Sequence, residues 1–153
     1  MEKDHYYMQK AIEQALKTKR TGDVPIGCII IKDNKIIGCG YNQKEKKHDV
    51  TSHAEIEAIR QACKKLKSWH LDGCTMYVTM EPCTMCGAAI LQARMDRLVY
   101  GTSSDKNGCF GGYYSLNSIL TVDKNIEIVG GVDKTECSKL VTMFFQEKRK
   151  SKV

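Results

Sequence analysis

At 153 residues, with 42% hydrophobic and 27% charged residues and only 2 prolines, the chain has the make-up of a single globular domain over 1–153. It lies far from disordered, collagen-like or repeat compositions, and its longest apolar run, around Ile29-Ile30-Ile31, is too short to cross a bilayer. The formal net charge of +6 is gathered at Lys17, Lys19 and Arg20, at Lys44, Lys46 and Lys47, at Lys64, Lys65 and Lys67, and at Lys148, Arg149, Lys150 and Lys152, which permits a polyanionic partner without demanding one.

Met8, Ile12, Ala15 and Leu16 fall at helical spacing and predict an opening amphipathic helix, stopped by Thr21-Gly22-Asp23. Two β-rich runs follow, Val24 to Lys32 and Ile36 to Tyr41, and the turn-forming Asp33-Asn34-Lys35 between them reads as a hairpin. Ile56, Ile59, Cys63 and Leu66 predict a second helix that starts near His53, with Ser52 as its cap. Thr75 to Met80 reads as a strand, and Pro82 pre-sets the first turn of a third helix carrying Cys83, Cys86, Ile90 and Leu91. Arg97 to Tyr100 is a fourth strand, Gly101 to Gly112 a loop and Ile126 to Val129 a fifth strand, while Cys137, Leu140, Val141 and Phe144 form one face of a closing helix. This order predicts a three-layer α/β/α sandwich around a mixed five-stranded sheet.

The start of the chain, Met1-Glu2-Lys3-Asp4-His5, is charged with no apolar stretch behind it, so the 8 cysteines point to a reducing cytoplasm rather than to a disulfide framework. Six of them read as small core residues; Cys83 and Cys86 form the one C-x-x-C pair. At i, i+3 near a helix start their sulfurs can converge on one ion, and the positive helix end favours thiolates. His53, at another predicted helix start, is the natural third ligand. Three protein ligands leave a tetrahedral zinc open to water, whereas four would close it as a structural knot, for which Cys74 and Cys28 are the available donors. Glu55 lies two residues beyond His53, placed to take a proton from water and pass it to a leaving nitrogen.

His53-Ala54-Glu55 followed by Pro82-Cys83-Thr84-Met85-Cys86 is recognised as the H-x-E…P-C-x-x-C signature of zinc nucleobase deaminases. Over nearly its whole length the chain resembles the bacterial tRNA-specific adenosine deaminases, through Asp23-Val24-Pro25-Ile26-Gly27, Gly40-Tyr41-Asn42, Thr51 to Ile56, Tyr77 to Ala88, Glu136-Cys137 and Phe144-Phe145. The resemblance implies the cytidine-deaminase fold, a homodimer, zinc, and conversion of adenosine to inosine at the wobble position of a tRNA anticodon stem-loop. It assigns Asn42 and Ala54 to the flipped base, and Phe145, Lys148 and Arg149 to the anticodon stem. An Asn amide offers a donor and an acceptor to a purine edge, although Asn42 also suits a turn.

One stretch departs from the family pattern, in which an acidic residue, any residue, Lys, any residue and Gly follow the fourth strand. Here Ser104-Asp105-Lys106-Asn107-Gly108 displaces the acid by one position, and the run to Leu116 is longer than usual. Tyr113 and Tyr114 within it could stack on splayed bases, pack a dimer or close a pocket on a smaller ligand. Two rival functions therefore stand beside the first: a free nucleobase or nucleoside deaminase of guanine or cytosine type, and a catalytically inert, zinc-stabilised RNA-binding module.

Overall fold

Tyr7, Met8, Ala11, Ile12 and Ala15 recur on one face of α1 (Glu2–Ala15) and are buried there, which is why the opening segment is helical. The computed structural model describes residues 2–122 and 124–151, so Met1 and Lys152, named in the charged stretches above, lie outside the described residues. After Ala15 the chain tightens into a 3-10 turn, Leu16–Arg20. That turn swings Leu16 out of the face its spacing predicts and leaves it 41% exposed. The Thr18 carbonyl then accepts the N–H groups of Thr21 and Gly22, both at 3.0 Å, and ends the element.

Strands β1 (Gly27–Lys32) and β2 (Lys35–Tyr41) pair antiparallel. Asp33 and Asn34 join them with φ values of 50° and 62°, the mirror-image turn that matches the twist of a hairpin. The strand expected from Val24 begins only at Gly27. Pro25 has no N–H to give a ladder, and Ile26 instead donates to the Val24 carbonyl at 2.9 Å in a tight turn.

With β3 (Thr75–Met80), β4 (Arg97–Thr102) and β5 (Glu127–Gly130) the sheet order is β2-β1-β3-β4-β5. β1 is antiparallel to both neighbours, and β3, β4 and β5 run parallel, so the sheet is mixed as expected. Alternate β1 side chains serve the two faces. Cys28 and Ile30, with Met76, Val78 and Leu98, meet α3 (Ala54–Leu66) and α4 (Thr84–Gln92). Ile29 and Ile31, with Tyr77 and Val99, meet α1 and α5 (Lys134–Ser151). These layers make the α/β/α sandwich.

A short α2 (Lys44–Lys47) leads from β2 towards α3. The inner face of α3 is Ala54, Ala58 and Ala62, which lets it ride close on β2; a Cβ at Gly40 would stand 2.4 Å from the Ala54 carbonyl oxygen. Two cap expectations change. The N-cap of α3 is His53, because the buried Ser52 hydroxyl is claimed by Glu57 Oε1 at 2.6 Å. Pro82 precedes the N-cap of α4, since Cys83 is still extended and the helix starts at Thr84. In α5 the predicted face is right but shallow: Cys137 is buried, and Leu140, Val141 and Phe144 are half-buried.

Candidate metal centre and its cleft

The two helices that carry the motif begin side by side. His53 caps α3 with an extended backbone (φ −82°, ψ 157°), Cys83 caps α4 likewise (φ −77°, ψ 175°), and Cys86 lies in the first turn of α4. His53 Nδ1 stands 3.7 Å from Cys83 Sγ and 3.5 Å from Cys86 Sγ, and the three donor atoms all lie within 4.8 Å of one another. Zinc bonds of about 2.0–2.1 Å to nitrogen and 2.3 Å to sulfur, set at tetrahedral angles, put such donors about 3.6 Å apart. The spacing therefore fits one ion.

The charges are arranged for the same purpose. Hydrogen bonding to Cys86, and then to His53, holds the Cys83 thiol down to about 4 against the cost of burial. The Cys86 thiol is pushed up by that same bond and by its burial. The bond to Cys83 raises the His53 imidazole. Glu55, on the first turn of α3, is 3% exposed, and burial pushes its carboxyl up to about 7, with Cys83 adding to the effect. Among the described residues its Oε1 is the one buried side-chain nitrogen or oxygen without a hydrogen-bond partner. A buried polar atom left unpaired costs about 1–3 kcal/mol unless something meets it.

No fourth donor joins the set among the described residues. The thiol of Cys74 donates to the Asp72 carbonyl at 3.8 Å, and Cys28 is fully buried in the layer beneath α3. Three donors beside a carboxylate with one unpartnered oxygen match the donor set of an open metal site rather than a closed knot.

This corner opens into a cleft of about 970 Å³ lined by Asn42, His53, Glu55 and Cys83. Asn42 holds the wall together: its Oδ1 accepts the Ala54 N–H at 3.0 Å and its Nδ2 donates to the Val24 carbonyl at 3.1 Å. Ala54 is itself buried, so a ligand reaching its N–H would replace Asn42 there. From α5, Phe145 and Lys148 line the cleft together with Phe144, whose ring packs edge-on to Phe145 at 5.2 Å and lies under the Lys148 ammonium. Arg149 is exposed and is not part of that lining among the described residues. Tyr113 and Tyr114 are not part of it either: Tyr114 pairs with the Thr84 hydroxyl at 2.5 Å, and Tyr113 is 69% exposed.

Comparison with known proteins agrees with the geometry. Residues 1–149 match the model of the MafB19-like deaminase family. The tRNA-specific adenosine deaminase of Bacillus subtilis (strain 168) is 38% identical over 152 residues, covering 99% of this chain and 94% of its own. That of Haemophilus influenzae is 39% identical over 150 residues, covering 97% and 87%. The chain belongs to the tRNA-specific adenosine deaminase family.

Among solved structures, one from work on A-to-I editing by tRNA:A34 deaminases at the wobble position superposes with a TM-score of 0.82, at 35% identity over 88% of this deaminase and 98% of that chain. The guanine deaminase of Bacillus subtilis, one of the rival activities, superposes with a TM-score of 0.61 at 38% identity, over 64% of this chain and 63% of that one. The cytidine-deaminase-like fold and the deaminase activity expected from the motif thus hold. Two buried acids of the cleft, Asp23 and Glu81, were given no role by the motif. Asp23, buried behind α2, accepts the Glu45 and Lys46 N–H groups at 2.7 and 3.4 Å, and Glu81 stands beside the ligand turn.

Proposed function

We propose that this deaminase hydrolyses adenosine to inosine at the wobble position of a tRNA anticodon, acting over residues 1–153 as one domain, with zinc held by His53, Cys83 and Cys86. What carries the reading is the near full-length likeness to tRNA-specific adenosine deaminases together with a three-donor site beside a buried carboxylate whose Oε1 has no partner. Held by those three residues, zinc would supply a Lewis acid able to acidify water towards neutrality.

Glu55 takes the proton of the attacking water on its free Oε1 and returns it to the leaving nitrogen, so that the C6–N bond breaks, a C6–O bond forms and ammonia departs. Its burial keeps bulk water from competing for that proton. The Asn42 amide, with one N–H and one lone pair beyond its two internal bonds, meets the purine edge beside Ala54. Phe145 and Lys148 offer a ring and a charge to the RNA beyond the base, and the exposed Arg149 extends that charge along α5. A homodimer in the cytoplasm completes the reading. The family resemblance supports the dimer, and no helix of the described residues is long and apolar enough to cross a membrane.

The test is incubation with an anticodon stem-loop carrying adenosine at position 34, read as inosine by mass spectrometry of the digested RNA. A panel of free guanine, cytosine, adenine and their nucleosides runs beside it, read as ammonia. Inosine in the stem-loop supports the proposal; turnover of the small substrates alone replaces it with the nucleobase reading.

A further inference from the structure

Glu81 is the last residue before the Pro82-Cys83 turn; it is 4% exposed and forms part of the cleft wall. Its partners are backbone amides of one loop. Oε1 accepts the Ser104 N–H at 3.1 Å, and Oε2 accepts those of Phe110 and Gly112 at 2.8 and 2.9 Å. Converging amides of this kind elsewhere cradle a bound anion; here the protein's own carboxylate fills the cradle. The approach depends on two missing side chains. A Cβ at Gly108 would lie 2.4 Å from Glu81 Cδ, and one at Gly112 would lie 2.3 Å from Oε1.

Cys109 ties the same loop to the ligand turn a second time, its N–H reaching the Pro82 carbonyl at 3.0 Å and its thiol the Cys83 carbonyl at 3.3 Å. Gly108, Cys109 and Phe110 are buried, whereas Ser103, Asp105, Lys106 and Asn107 are exposed and line the cleft. The loop is thus anchored at its base and presents its tip to whatever enters.

We infer that Glu81 is a positioning residue: its carboxylate folds the 103–112 loop into the cleft wall that receives the nucleotides flanking the target base, and so governs substrate binding rather than the chemical step. The inference rests on the reading of the cleft as a nucleotide site. It also explains how a loop whose acid is displaced from the family spacing is still tied to the cleft wall, since the anchor lies outside the loop.

Glu81→Gln keeps the size of the side chain but turns one acceptor into an NH₂ group facing amide donors. In the zinc-loaded full chain, hydrogen exchange across 103–114 should rise about tenfold or more, while 54–66 and 84–92 and the zinc content stay as in the parent. The KM for the stem-loop should rise about tenfold with kcat within about threefold. Gly108→Ala presses on the same contact from the other side and should reproduce both readouts, and the double variant should be no worse than the larger single by more than about twofold. Exchange that is unchanged, or raised across the whole sheet, overturns the inference; so does a fall in kcat at constant KM. If Glu81→Gln does not fold, Gly108→Ala carries both measurements. A parent enzyme inactive on the stem-loop sinks the function proposed above, and the exchange measurement then decides the role of Glu81 by itself.

Discussion

Glu55→Gln removes the carboxylate that the proposed chemistry needs while changing almost nothing else. The two side chains have nearly the same volume, and Glu55 Oε1 has no hydrogen-bond partner to lose. The Tm should therefore move by no more than about 1 kcal/mol of stability allows, about 4 °C for a domain of this size. Zinc content should also hold, because none of the three donor atoms belongs to Glu55. Turnover should fall about 10²–10⁴-fold, the usual worth of one general acid–base group, equivalent to about 3–5 kcal/mol of barrier. Single-turnover inosine formation on the stem-loop, beside metal analysis and thermal melting, measures all three quantities. Residual activity above about one tenth of the parent's would refute the role, and so would loss of metal or fold in step with activity.

Three further outcomes are expected. Removal of metal by a chelator, or Cys86→Ser, should abolish deamination and lower the Tm, and added zinc should restore only the chelated parent, as activity assays and metal analysis will show. Asp4 accepts both Arg97 guanidinium nitrogens and the Tyr77 hydroxyl, all at 2.7 Å, and its carboxyl is lowered from 3.8 to about 2, chiefly by the Arg97 bonds. A lowered native value stabilises above the unfolded one and fades as pH falls from about 4 to about 2; urea midpoints of the parent and Asp4→Asn should thus differ by about 2 kcal/mol at pH 6 and converge near pH 2. Gly40→Ala should cost about 1–3 kcal/mol in urea unfolding, because the new methyl meets the Ala54 carbonyl and forces α3 off the sheet.

The elements that could be read from the chain are those whose cause is local. The β-rich runs that become Gly27–Lys32 and Lys35–Tyr41, split by turn-forming residues, can form little but a hairpin, and the Cys83–Cys86 spacing carries its geometry within one helical turn. The errors arise where a competing contact or a tightened backbone overrides the residue's own preference. Ser52 has the chemistry of a cap, but Glu57 engages its hydroxyl; Leu16 has the right spacing, but the backbone tightens beneath it. Glu81 left only a faint trace, an acid before Pro-Cys with glycines at 108 and 112, since its three amide partners come from 23 to 31 residues away. Asn42 was found through resemblance, yet its grip on the first amide of α3 depends on a contact between turns that periodicity does not encode.

The position of β1 gives the metal corner a wider meaning. It separates β2 from β3, so His53 comes from the hairpin half of the molecule and the two sulfurs from the half that runs parallel, with the exposed turn around Lys67 and Gly73 as the hinge of the sequence. Neither half owns the centre. Cut at that turn, the pieces would each be blind to zinc at high affinity and would regain it only by reassembling β1 against β3, so a shared ion would act as a rivet that reports when the sheet is whole.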